Sequence, residues 1–392
     1  MSRSTGRFGT ALLFLAGCLV AGAAEMNSSS NNSMPLPLKV VGSEILNSKN
    51  QPVRLMGVNC ASLEWTSHGE GHIVQSVKTA IEDWKVNTIR LPMSQDRWFG
   101  KAPEQNDEGK AYRALTDEIV HLCASRGGYI LLDLHWSDAN EWGRNIGQHS
   151  MPDQNSAAFW KDLAALYANH PAVLYDLYNE PHDVSWDIWL NGGTITDRPN
   201  RRRQEPKTYE AVGMQKLLDT VRETGAKNVI VVGGLDWAYD FSGILEGRRL
   251  KDPNGLGVIY ANHCYNNKNQ SVETWVANME KADAELAVIV SEFGGAYFPP
   301  GADAGTSRPR GYGGFGRRAD GDWLLRMMQA IDDHKWSFAA WDFHPAAGPT
   351  LIADWNYTPT PHYGVYVKRL LDGSWTRYTP PPASAPPGEN AR

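Results

Sequence analysis

The sequence predicts an α/β protein folded as a (β/α)8 barrel. Three observations lead there. Eight short apolar runs recur along the chain. Helix-period segments lie between them, such as "SVKTAIEDWK", "LTDEIVHLCASR", "SAAFWKDLAALYANH" and "YEAVGMQKLLDTVRETG". Most of the apolar runs are continuous, as parallel strands covered on both faces require. Eight strand–helix units in one domain point to a closed barrel. A doubly wound open sheet is the alternative, but no G-x-G-x-x-G follows any strand candidate.

The elements follow in chain order. Arg3 and Arg7 precede the apolar run "ALLFLAGCLVAGAA", which reads as an export signal over residues 1–24. Cleavage near Ala21-Gly22-Ala23 is one processing route. The other treats Leu15-Ala16-Gly17-Cys18 as a lipobox and leaves a lipidated Cys18 as an anchor. Either route places the protein outside the cytoplasm, and no other stretch is a candidate membrane span. Residues 25–36 are a Ser/Asn-rich linker. The barrel is expected over 37–372. It begins with "LKVVGSEILNSKNQPVRL", a hairpin expected to turn around 47–52 and to plug the barrel floor. The strand candidates are 53–59, 87–93, 129–135, 172–180, 228–234, 257–265, 287–294 and 337–345. The stretch 186–206 is expected to be a long loop walling the cleft, and 373–392 a Pro-rich extended tail.

Composition narrows the function. The formal charge is −6, which gives no reason to expect a nucleic-acid partner, and Arg201-Arg202-Arg203 reads as a solvated loop. Cys60, Cys123 and Cys264 match no zinc spacing and are expected to be buried structural residues. The fifteen Trp and fifteen Tyr exceed what a core needs, and flat apolar sugar faces stack on such rings.

Active sites of this fold form at the C-terminal ends of the strands. The predicted strands end near Arg90 (second), on His135 (third), on Asn179-Glu180 (fourth), on His263 and Tyr265 (sixth), on Glu292 (seventh) and on Trp341 (eighth). Six ends out of eight carrying polar, titratable or aromatic groups is a constellation rather than an accident. Glu180 and Glu292 are far apart in sequence, yet the fourth and seventh strands face each other across a barrel mouth. Two carboxylates across a cleft equip a site for glycoside hydrolysis, one as proton donor and the other as nucleophile or base. Their separation, about 5–5.5 Å or about 6.5–9.5 Å, selects retention or inversion. Arg90 has a structural alternative, pairing a buried acid such as Asp133 or Asp176. Metal ligation is disfavoured because the first strand has no HxH pair. Trp65, Trp136, Trp142 and Trp237 fall in rim loops, where core packing and sugar stacking are both open. Asp342 and His344 are near the rim and unassigned.

The segments "NTIRLP", "LLDLHW", "LYNEPH", "ANHCY", "VSEFGG" and "AAWDF" occur in this order, each at a strand end. Together they resemble the glycoside hydrolase family 5 pattern over residues 36–371. The resemblance implies a retaining (β/α)8 glycosidase. Glu180 would be the general acid/base and Glu292 the nucleophile. Asn179 would bind the sugar 2-hydroxyl. Arg90 and Tyr265 would contact the nucleophile, the guanidinium keeping it ionised by opposite charge. His135 and His263 would line the subsite of bond cleavage, and Trp341 would lie under that sugar. Tyr178 and His182 around the NEP tripeptide resemble cellulase-type members. The expected activity is a secreted endo-β-1,4-glucanase on a β-glucan chain, with Trp65, Trp136 and Trp237 as further sugar platforms. It would act as a monomer and need no cofactor and no metal. A mannanase or xyloglucanase is the alternative within the family, and a non-catalytic glycan-binding barrel the alternative outside it.

Overall fold

Eight parallel strands close on themselves in chain order: β1 (Met56–Asn59), β2 (Thr88–Ser94), β3 (Tyr129–Trp136), β4 (Val173–Asp176), β5 (Ile230–Gly233), β6 (Val258–Tyr265), β7 (Val288–Gly294) and β8 (Ser337–Ala340). The structure is a computed structural model that describes residues 34–197, 206–268, 270–298 and 321–379. The expected export signal, Cys18, the Arg201-Arg202-Arg203 cluster and most of the linker and tail lie outside the described residues. Everything described belongs to one unit, Asn32–Arg392. Among the described residues, no helix is long and apolar enough to cross a membrane.

The two-residue period of a strand builds both the core and the site. On β3, Ile130, Leu132 and Leu134 point outward into the shell between strands and helices, while Leu131 points inward. Asp133 and His135 share the inward parity of Leu131, one and two steps nearer the mouth. On β4, Leu174 faces inward and Asp176 follows it two residues later. The lower barrel is thus filled by Leu131, Leu174, Val231, Ile259 and Ile289, and the layer above them is polar. The outer shell comes from helices such as Ile73–Glu82, Lys110–Ser125 and Gln154–Leu166. The last starts on a capping box between Asp153 and Ser156.

Two one-residue irregularities interrupt this period where it matters. Asn262 pairs with Val290, but His263 pairs with Glu292, so Ser291 is the extra residue on β7. Strict alternation after the outward Val290 would turn Ser291 in and Glu292 out. The bulge lets Glu292 face the mouth beside His263. On β3, His135 is the extra residue between the Met93–Leu134 and Ser94–Trp136 pairs.

Five expectations are corrected. The N-terminal hairpin pairs Leu38–Val41 with Glu44–Asn47, so it turns at Gly42-Ser43. A second turn at 47–52, held by Asn47 bonding Gln51, follows it. Leu38 and Ile45 do pack on the lower barrel core, which closes the floor. The fourth strand stops at Asp176 rather than at Glu180, although the Asn179 amide still donates to the Leu134 carbonyl on β3. The stretch 186–206 is no simple loop. It holds a short helix, Trp186–Asn191, and the strand Gly192–Asp197, which pairs with Lys207–Val212. "YEAV" is therefore ribbon, and the helix starts only after Gly213, at Met214. The fifth strand–helix unit lacks a full helix and has two four-residue turns, Leu235–Ala238 and Ser242–Leu245. Cys60, Cys123 and Cys264 are free and buried as expected.

The barrel wall is tightest where β1 meets β2. A Cβ on Gly57 would lie 2.1 Å from the Thr88 carbonyl oxygen. Gly57→Ala should cost about 2–3 kcal/mol through this overlap. Urea unfolding checks it, and a midpoint equal to that of the unsubstituted chain would contradict the packing described.

Candidate active site

The centre of the mouth is Arg90, which is fully buried. A guanidinium has five N–H donors and no acceptor, and four hydrogen bonds and three ion pairs hold this one. Nε donates to Asp176 Oδ2 at 2.8 Å. Nη1 donates to Asn59 Oδ1 at 2.9 Å and to Glu292 Oε1 at 2.7 Å. Nη2 donates to Asn179 Oδ1 at 2.8 Å and lies 3.0 Å from Asp133 Oδ2. Either Asp133 or Asp176 was the expected structural partner of Arg90. It pairs both, and Glu292 as well. Burial opposes the charge of Arg90, but Asp133, Asp176 and Glu292 outweigh it and the net shift is upward. Burial pushes Asp133 and Asp176 up to about 7 against the downward pull of Arg90.

Around this hub lie Tyr265, His263, His135, Glu180 and Trp341. The Tyr265 hydroxyl donates to Glu292 Oε2 at 2.8 Å, so both oxygens of Glu292 accept. His263 lies between the two glutamates, with Nδ1 2.9 Å from Glu180 Oε1 and 3.5 Å from Glu292 Oε2. Its Nε2 is 3.0 Å from Ser291 Oγ. His135 donates from Nδ1 to Asp133 Oδ2 at 2.6 Å, and its Nε2 accepts from Asn179 Nδ2 at 3.2 Å. That pairing fixes a neutral tautomer, and burial lowers His135 to about 4 and His263 to about 3. Burial raises Glu180, against smaller opposing charges that include His135 and His182. The Trp341 ring stacks on His135 with centroids 5.3 Å apart, and Trp341 stays half-exposed at the mouth.

Ligand-type atoms of Glu180, His263 and Glu292 all lie within 4.8 Å of one another. This trio has metal-like spacing, the one such group among the described residues. A cation there would sit against the Arg90 guanidinium, already bonded to Glu292, so the donor set suits protons and a sugar better.

Further out, Trp237 stacks on His182 at 3.5 Å, on the β4–β5 side. Its backbone and those of Asp236 and Ala238 are all left-handed, three non-glycine residues in a strained turn. Trp65 and Trp136 meet each other at 6.5 Å. Trp142 packs edge-on against Phe99. Residues missed from sequence include Asn59, which ends β1, Gln148, whose Oε1 accepts from Asn179 Nδ2, and Ser291. Asn59 stood at a strand end and was open to the same rule; Gln148 and Ser291 had no local signal.

The residues matched by the model of the family described as cellulase (glycosyl hydrolase family 5) are 46–347. The chain belongs to glycoside hydrolase family 5. Among relatives, it is 27% identical over 215 residues to endoglucanase MaCel5A of Microbulbifer sp. (strain ALW1), covering 55% of this chain and 35% of that one. It is 24% identical over 352 residues to endoglucanase A of Evansella cellulosilytica, covering 86% and 58%. The chain thus spans only part of these relatives. Among solved structures, β-glucanase SdGluc5_26A from Saccharophagus degradans, crystallised with cellotetraose, superposes with a TM-score of 0.64 at 22% identity, over 87% of this chain and 94% of that one. That likeness supports the family 5 barrel fold.

The site's rear wall carries a charged latch. His149 has both ring nitrogens facing acceptors, Nδ1 2.6 Å from Asp197 Oδ2 and Nε2 2.7 Å from the Asn145 carbonyl. Two acceptors require two N–H groups, so this imidazole is the cation. Burial pulls its pKa down, but the Asp197 and Asn145 bonds outweigh it and the net shift is upward. The latch ties the Gly192–Asp197 ribbon to the loop that carries Gln148. A raised histidine gives stability that is complete below the unfolded value near 6.5 and is lost as pH rises through the folded value. The stability gap between the unsubstituted chain and Asp197→Asn should therefore narrow as pH rises from 6 to 9 in urea melts. A gap that widens over that range would contradict a charged His149.

Proposed function

We propose that this chain is a retaining endo-β-1,4-glucanase that acts outside the cytoplasm. The carrying observation is the pair of carboxylates within 4.8 Å in unequal surroundings. Such a close approach of their oxygens supports the shorter, retaining separation of about 5–5.5 Å over the about 6.5–9.5 Å of an inverting pair. Glu180, part-buried and raised, is suited to hold a proton and deliver it to the leaving oxygen. Glu292, accepting from Arg90 and Tyr265, is suited to attack the anomeric carbon. In the second step Glu180 takes the proton from water, and Glu292 leaves as the free carboxylate. Asn179 would bond the 2-hydroxyl, with His135 and Gln148 fixing its amide. Trp341 would lie under the sugar being cleaved and Trp237 beside the leaving one. The endoglucanase names of the relatives and the cellotetraose bound to the S. degradans β-glucanase support a β-glucan as substrate, and the half-exposed Trp65, Trp136 and Trp237 support a chain rather than a single sugar. The chemistry calls on side chains alone.

Glu180→Gln and Glu292→Gln should each lower kcat on cello-oligosaccharides by roughly 10³-fold or more with the fold intact by circular dichroism. Azide should rescue Glu292→Ala with an inverted product and Glu180→Ala with a retained one. The swapped pattern would reverse the roles. Reducing-sugar release from carboxymethyl-cellulose, mannan, xyloglucan and lichenan reads the substrate. Activity confined to mannan or xyloglucan would replace the glucanase reading, and binding with no release from any would support a glycan-binding barrel.

A further inference from the structure

We infer that Glu70 is a positioning residue that holds Trp65 as a platform for the second sugar on the non-leaving side, and so sets how strongly the site prefers chains over single sugars. This rests on the proposed glycosidase reading. The acid that protonates the leaving oxygen is Glu180, in the segment after β4, so the leaving sugar lies toward β4 and β5. The retained part of the chain must then run toward the opposite rim, where β8 and β1 are neighbours. Trp65 follows β1 and His344 follows β8, and their rings meet edge-on at 5.4 Å.

Glu70 joins them. Trp65 Nε1 donates to Glu70 Oε1 at 2.8 Å, and His344 Nε2 lies 2.9 Å from Glu70 Oε2. The backbone of Trp65 is fixed independently, its carbonyl accepting from Arg97 Nη2 at 2.9 Å. The indole itself stays half-exposed, facing Trp136. This is a ring held at its polar edge and backbone with a face left for a ligand, the arrangement that sugar stacking needs.

The chemistry of the bridge demands a carboxylate. The amides of Ala346 and Ala347 both donate to His344 Nδ1, at 3.0 and 3.2 Å. Nδ1 is therefore the acceptor and Nε2 carries the hydrogen. An indole nitrogen is a donor only. The residue between them must accept at two separate oxygens, Oε1 from Trp65 and Oε2 from His344; a carboxylate offers both, whereas an amide would turn its NH2 toward one of the two donors. Glu70 also holds a left-handed backbone, φ 51, between Gly69 and Gly71. Such a conformation is costly for a residue with a Cβ and persists where the surroundings require it.

The test compares two substrates on the full-length chain, 2,4-dinitrophenyl β-glucoside and 2,4-dinitrophenyl β-cellobioside. They share the leaving group and differ by the one sugar that would lie on Trp65. The E70Q variant should lower the cellobioside-to-glucoside ratio of kcat/KM by about ten-fold, the size of a lost aromatic contact, and do so through KM. Glu70→Ala should match it. In a Trp65→Phe background, where no indole N–H remains, E70Q should change the ratio less than two-fold. A ratio kept in both Glu70 variants, or an equal fall on both substrates, overturns the inference while leaving the glycosidase reading standing. An unsubstituted chain that cleaves neither substrate overturns the parent reading and this one with it.

Discussion

The site depends on one buried cation. Arg90 draws acceptors from β1, β3, β4, the segment after β4, and β7 onto a single planar group. A guanidinium out of water is tolerated only when paired and bonded throughout, and removing one partner leaves an uncompensated charge. The geometry of the mouth is therefore overdetermined. Asn179 cannot rotate its amide without breaking bonds to Arg90, His135 and Gln148. Glu292 cannot leave without freeing both Arg90 and Tyr265.

The same hub sets an electrostatic problem that the site resolves by burial. Three carboxylates face one guanidinium. Asp133 and Asp176 are fully enclosed and are pushed up to about 7, so near neutral pH protons dilute the negative charge. Each keeps one oxygen, Oδ1, without a hydrogen-bond partner, which leaves room for such a proton. Glu292 lies nearest the opening and accepts from two donors, while Glu180 faces a neutral imidazole across the cleft. Two chemically identical side chains thus sit in different environments, which is the physical basis for giving them different tasks.

Much of this was legible from the residue order. Eight apolar runs gave eight strands because a parallel barrel buries both faces of each. Glu180 and Glu292 stood out because an apolar strand ending on a carboxylate has to open toward solvent. What was hidden depended on contacts distant in sequence or on one-residue shifts. Ser291 is an ordinary residue until the bulge makes it the one that lets Glu292 face inward. The hairpin was expected to turn at 47–52, but the strand pairing turns at Gly42-Ser43, and 47–52 is a second turn after it. "YEAVGMQ" has helical spacing through "YEAV", yet those residues pair with Gly192–Ile195 in the ribbon, because strand pairing overrode local periodicity. Glu70 bonding His344 across the β8–β1 rim had no sequence signal at all.

In the proposed reaction the Arg90 hub presents Glu292, and not Glu180 or a buried aspartate, as the group that bonds to the sugar. Incubation with 2,4-dinitrophenyl 2-deoxy-2-fluoro-β-cellobioside, which slows release of any covalent intermediate, followed by peptide mass spectrometry, tests it directly. One equivalent of fluorocellobiosyl mass is expected on the peptide containing Glu292, with fragment ions placing it on that residue. Label on Glu180, Asp133 or Asp176, or turnover to an inverted product with no adduct, would contradict it.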